Sequence, residues 1–147
     1  MWNKRFIALA LLMLSTLAIA GPPKPTESEY LRTTGGMFTT ERGGIVRYVM
    51  AYEIKESMPP EYVIRVSFEN PKKGEPPITD TEKLEVSGSE LNVESPPLTC
   101  IRPNKKYTVV IELFADEAST ESFGRHKQKM EYAVPLQVMK EFGVEIC

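Results

Sequence analysis

Between residues 45 and 69 apolar and polar positions alternate. Val46, Tyr48, Met50, Tyr52 and Ile54 are interleaved with Arg47, Val49, Ala51 and Glu53, and beyond the turn Met58-Pro59-Pro60 the residues Tyr62, Ile64, Val66 and Phe68 are interleaved with Val63, Arg65, Ser67 and Glu69. A period of two predicts two long strands, each with one apolar face. Asn70 to Pro77 reads as a polar loop, and Leu84 with Val86 and Leu91 with Val93 mark two shorter strands around Ser87-Gly88-Ser89. Ser95-Pro96-Pro97 ends that pairing, because proline has no N–H to give to a ladder.

The last strand pair is the clearest. Tyr107, Val109, Ile111 and Leu113 share one face, and His126, Gln128, Met130, Tyr132 and Val134 share another. A loop centred near Ser119 and Thr120 sets Tyr107 against Tyr132, Val109 against Met130, and Glu112 against Lys127 on the outside. A slip of one residue would turn the apolar face of one strand onto the charged face of the other, so the parity is firm. In the tail, Leu136, Met139 and Phe142 fall on one side of a short helix that Gly143 caps.

Residues 21–44 are rich in Pro, Gly, Thr and charge, and read as a flexible leader ending in a short edge strand, with Gly35-Gly36 and Gly43-Gly44 as turn pairs. The domain proper is expected over 45–147. Strands separated by Pro and Gly turns, with hardly any helix, predict an all-β antiparallel sandwich of about seven strands.

One segment carries a resemblance. Leu91 to Ile111, with Ser95-Pro96-Pro97-Leu98 leading to Ile101-Arg102-Pro103-Asn104-Lys105-Lys106-Tyr107, resembles the tyrosine corner of fibronectin type III and related immunoglobulin-like domains. Ile101, Pro103 and Tyr107 hold the motif's places. The resemblance implies a core tyrosine whose hydroxyl bonds the backbone of the turn, and a domain that binds, spaces or assembles proteins. Those families carry a core tryptophan on an early strand; the only tryptophan here is Trp2, and Tyr48 or Tyr52 is expected to fill that place.

The N-terminus alters the setting. A positive head, Met1-Trp2-Asn3-Lys4-Arg5, precedes an apolar run from Phe6 to Leu14 and the small residues Ala18 and Ala20. This is the layout of a signal peptide over 1–20, too short for a membrane span, with Gly21 as the expected mature N-terminus. The expected location is periplasmic or secreted, with no stable membrane insertion after cleavage. Loss of Lys4 and Arg5 makes the chain more anionic than the formal −2 of the full sequence, which argues against nucleic acid as a partner. In an oxidising compartment the two cysteines, Cys100 and Cys147, are expected to pair; two free thiols, or an intermolecular bridge through Cys147, are the alternatives.

Candidate chemistry is sparse. The single histidine, His126, falls on an inward face, where a structural hydrogen bond is the expected role. The only aspartates are Asp80 and Asp116, and no Gly-x-Ser-x-Gly elbow occurs. Carboxylates for sugar hydrolysis could be drawn from Glu53, Glu56, Glu69 or Glu112, yet nothing in their spacing selects a pair. No metal-ligand spacing or phosphate-cradling glycine motif is present, so neither catalytic residues, metal nor cofactor are expected. Two basic groups, Arg102-Lys105-Lys106 and Arg125-Lys127-Lys129, flank the last hairpin. The expectation is a non-enzymatic interaction module, a subunit, adaptor or inhibitor, that meets another exported or envelope protein, with Phe123, Arg125 and Lys127 as binding residues. The alternative is a carbohydrate- or small-ligand-binding accessory domain that offers Phe123, Tyr30 or Phe38 as a stacking platform.

Overall fold

The computed structural model describes residues 26–147, so the expected signal peptide over 1–20 lies outside the described residues. Seven strands and one helix follow in order: β1 (Leu31–Glu41), β2 (Ile45–Ile54), β3 (Val63–Phe68), β4 (Lys83–Ser87), β5 (Glu90–Glu94), β6 (Lys106–Phe114), β7 (Gly124–Glu131) and α1 (Leu136–Phe142). They form two antiparallel sheets, a four-stranded one in the order β1-β2-β5-β4 and a three-stranded one in the order β3-β6-β7. The all-β sandwich expected from alternation is the fold observed.

Alternation builds the core directly. Val46, Tyr48, Met50 and Tyr52 of β2 and Leu91 and Val93 of β5 are buried, and across from them so are Val66 and Phe68 of β3 and Tyr107, Val109, Ile111 and Leu113 of β6. At the centre Tyr48 stacks on Phe68 at 5.3 Å, and Phe38 lies 4.7 Å from Tyr48 and 5.1 Å from Tyr132. These rings form one aromatic group at the centre of the core.

Loop chemistry fixes where strands stop. Ser95 Oγ accepts the Tyr48 N–H at 2.9 Å, in place of a ladder bond where Pro96 ends the strand. Before β6, Ile101 is fully buried, Pro103-Asn104 makes the turn, and the Arg102 N–H donates to the hydroxyl of the fully buried Tyr107 at 2.9 Å. That bond ties the core ring of Tyr107 to the turn before its strand.

Four expectations need correction. β1 is an edge strand, as expected, but spans 11 residues instead of being short, and Leu31 and Thr33 are buried in the sandwich. Gly35-Gly36 is no turn: it lies within β1, beside a register shift between Thr33 and Gly35. A side chain on Gly36 would begin 2.7 Å from Met130 Sδ and 2.9 Å from Met50 Sδ, so the two thioethers occupy its space.

The last hairpin keeps its parity and shifts its register by two. Tyr107 faces Met130 instead of Tyr132, Val109 faces Gln128 instead of Met130, and Glu112 faces Arg125 instead of Lys127. A two-residue shift leaves every side chain on its face, so alternation cannot resolve it. The turn resolves it: Asp116 Oδ1 accepts from the Ala118 N–H at 3.0 Å and from Ser119 Oγ at 2.8 Å, which starts the loop directly after β6.

In α1 only Met139 is fully buried and Phe142 half-buried, while Leu136 is 45% exposed, so the helix presents a narrower apolar side than its spacing suggested. Gly143 caps it in the left-handed region, as expected. The chain then returns to the body of the fold, where Ile146 bridges Ile101 and Cys147 forms a disulfide with Cys100 across a Cα–Cα distance of 4.7 Å.

Two predictions follow from these anchors. Cys147→Ser opens a loop of sequence separation 47, and is expected to lower unfolding free energy by about 2–4 kcal/mol, read as a lower urea midpoint. Tyr107→Phe leaves the Arg102 N–H without its acceptor, and should cost about 1–3 kcal/mol by the same measurement with the far-ultraviolet spectrum unchanged.

Candidate interaction face

His126 is the natural starting place for chemistry, and the structure places it inside the sandwich. It is 1% exposed and sits between the two sheets, where Thr33 of β1 reaches across to β7. Thr33 Oγ1 donates to Gln128 Oε1 at 2.6 Å and lies 2.8 Å from His126 Nε2. With the hydroxyl hydrogen given to Gln128, His126 donates from Nε2, and its Nδ1 lies 2.8 Å from Ser28 Oγ, whose hydroxyl also reaches the Leu31 carbonyl at 3.3 Å. The ring also meets Tyr52 edge-on at 5.4 Å. A Ser28–His126 pair is therefore present, but the group orienting the ring is the Thr33 hydroxyl and no carboxylate bonds it. A hydrolytic triad needs that acid.

Two of the candidate glutamates, Glu53 and Glu69, are engaged at the surface. Glu53 accepts from Arg32 at 3.0 Å. Burial pushes the Glu69 carboxyl up, but the Lys105 ammonium at 2.9 Å and the Thr108 N–H at 2.8 Å outweigh it and hold the group below the usual carboxylate range. Cys100, Glu145 and Cys147 place ligand-type atoms within 4.8 Å of one another, yet the two sulfurs are joined and offer a metal no thiolate.

The aromatic platforms are likewise occupied. Phe123 is half-buried with its ring edge-on to Tyr30 at 5.2 Å, and the missing side chain of Gly124 makes room for the Tyr30 ring. Phe38 belongs to the core aromatic group. Each of the three rings is thus half-buried against an aromatic neighbour.

The other residues expected to bind are placed differently. Arg125, Lys127 and Lys129 alternate outward from β7 and are all exposed. Together with β3 and β6 they form the outer face of the three-stranded sheet, in rows Arg65–Glu112–Arg125 and Ser67–Val110–Lys127, with Thr108 beside Lys129. Arg65 is held by the Phe114 ring, 4.1 Å from its guanidinium carbon, and by the Glu117 carbonyl at 2.9 Å. Arg125, Lys127 and Lys129 enter no ion pair among the described residues. Beside Lys127 runs a groove of about 260 Å³ lined by Ser67, Glu69, Pro77, Thr108 and Val110. Of the earlier basic group, Lys105 is taken by Glu69. The structure thus keeps Arg125 and Lys127 together, adds Lys129, and sets Phe123 in a packed clamp.

The polar bridge of Ser28, Thr33 and Gln128 was missed by sequence reasoning. Its signal was two polar residues, His126 and Gln128, in an inward row, a placement that requires a buried partner.

No protein-family model, no curated protein and no solved structure matches this chain.

Burial holds the His126 imidazole below its ordinary 6.5. The folded chain therefore binds fewer protons than the unfolded chain between the lowered value and 6.5, and the stability given by the neutral ring is complete above that interval and lost as pH falls into it. Unfolding free energies from urea titrations between neutral pH and about pH 5 should decline by up to about 1.4 kcal/mol per pH unit, and His126→Gln should flatten that decline.

Proposed function

We propose that this chain is an exported, non-enzymatic interaction module of immunoglobulin-like design, and that it recognises an acidic surface on another envelope or secreted protein through the outer face of its three-stranded sheet. The observation that carries the reading is the row Arg125, Lys127 and Lys129, exposed, unpaired among the described residues and set beside the Val110 groove. In a chain of net charge −2, such a local positive stripe selects partners by charge complementarity and steers their encounter.

Export is supported by the signal-like leader and by the Cys100–Cys147 bridge, which suits an oxidising compartment. Kinship in design is supported by the division of strands into β1-β2-β5-β4 and β3-β6-β7, the constant-type immunoglobulin pattern, and by the Arg102–Tyr107 bond at its corner. The non-enzymatic assignment rests on the engagement of His126 by Ser28 and Thr33 inside the fold.

The test is crosslinking of the mature protein in its own envelope or medium under non-reducing conditions, followed by affinity measurement with the recovered partner. Replacing Arg125, Lys127 and Lys129 together by Glu is expected to weaken binding by roughly tenfold or more and to remove its salt dependence. Unchanged affinity in the triple variant, with the fold intact, would overturn this face as the binding surface.

A further inference from the structure

β4 has no buried residue, in contrast to every other element of the described residues. It closes the four-stranded sheet, and its only ladder partner is β5. Leu84 stands opposite Val93 and Val86 opposite Leu91, on the same inward face. Leu91 and Val93 are 0% and 1% exposed, whereas Leu84 and Val86 are 38% and 44% exposed. The apolar face of this sheet therefore runs one strand beyond the cover that the opposite sheet provides.

The backbone of β4 is open on the same side. Ser87 and Glu90 flank the two-residue turn Gly88-Ser89, and flanking residues of such a hairpin bond one another. By alternation Lys83, Glu85 and Ser87 direct their N–H and C=O groups to β5, and Leu84 and Val86 direct theirs to the free edge. A strand edge with open backbone groups and apolar side chains beside it is a template for another strand.

We propose that the occupant is β4 of a second copy, paired antiparallel about a two-fold axis through Leu84, so that two four-stranded sheets join into one of eight. The side chains select this register. Pairing about Leu84 sets Lys83 opposite Glu85 of the second copy, twice by symmetry, and Leu84 opposite Leu84 in a backbone-bonded pair. Pairing about Glu85 instead sets two like carboxylates face to face, and pairing about Val86 leaves Lys83 without a partner. Lys83 and Glu85 are 59% and 55% exposed and bridge each other within one chain at 3.2 Å, a link of little worth at such exposure and free to be exchanged across the axis. Five residues per edge bury less than the roughly 1,000 Å² of a lasting interface, so the dimer is reversible and concentration-dependent.

Sedimentation equilibrium of the mature, oxidised protein over a range of concentrations tests this pairing. A monomer–dimer equilibrium is expected, weakened roughly tenfold by Lys83→Glu, which makes both cross-axis pairs repulsive, and restored when Glu85→Lys is added. Each variant should melt at the parent temperature, since neither residue is buried. The triple Arg125, Lys127, Lys129 variant should dimerise as the parent does, which separates this surface from the one proposed for the partner. A monomer at every concentration, a dimer indifferent to Lys83→Glu, failure of the double variant to restore it, or a dimer linked through Cys147 on a non-reducing gel would each overturn the proposal.

Discussion

The fold depends on burying tyrosines without stranding their hydroxyls. Tyr48, Tyr107 and Tyr132 are fully buried around Phe38, and each ring contributes a large apolar area only if its polar end is satisfied. Tyr48 donates to the Glu69 carbonyl at 3.0 Å, Tyr107 accepts from the Arg102 N–H, and Tyr132 bonds Thr40 at 3.0 Å. These partners lie just past β3, in the turn before β6 and near the end of β1. The same rings that fill the core thus fix where the strands end, so packing and loop geometry are one constraint. Tyr52 is the exception: its hydroxyl is buried without a partner, beside the His126 ring. A buried unpaired hydroxyl costs about 1–3 kcal/mol.

A two-sheet sandwich has two open sides, and this one treats them differently. Between β1 and β7 the closure is polar and runs through side chains, from Thr33 to His126 and Gln128 and on to Ser28. The register shift in β1 falls immediately after Thr33, so the irregularity and the polar bridge occur at one place. Between β3 and β4 the closure is partial: Ile78 pairs with Phe68, and farther on Leu84 and Val86 stay uncovered. Specific hydrogen bonds seal the first side, and an apolar margin is left on the second.

Much of this was legible because alternation is a direct image of a half-buried strand. β2, β3 and β6 carry unbroken apolar rows, and their faces could be read residue by residue. β1 could not, since Thr33, Thr34, Gly35 and Gly36 interrupt its period at the register shift. Register within the last hairpin was hidden for a different reason: period two is blind to even shifts, and the deciding group was the Asp116 carboxylate in the loop. For the site, the exposure of Arg125 and Lys127 was readable from parity, and so was the inward placement of His126. The Thr33 partner, 93 positions away, was not, because a lone threonine in a polar stretch carries no mark of what it will meet.

Charge distinguishes the two outer faces of the sandwich more sharply than shape does. On the four-stranded sheet Arg47 lies among Glu41, Glu82 and Glu94, with Glu82 at 2.7 Å, and Arg32 lies between Glu27 and Glu53. That face neutralises its own cations. On the three-stranded sheet the acidic residues are fewer, Glu69 is spent on Lys105, and the cations of β7 are left to solvent. Arg32 and Arg47 are thus paired on one face, while Arg125, Lys127 and Lys129 enter no ion pair among the described residues on the other. Because the ionised side chains there alternate with the buried His126, Gln128 and Met130, the strand that displays the charge is also the one the polar bridge ties to β1. Display and closure therefore share β7, and its backbone is held from beneath by the very residues that its sequence alternation turns inward.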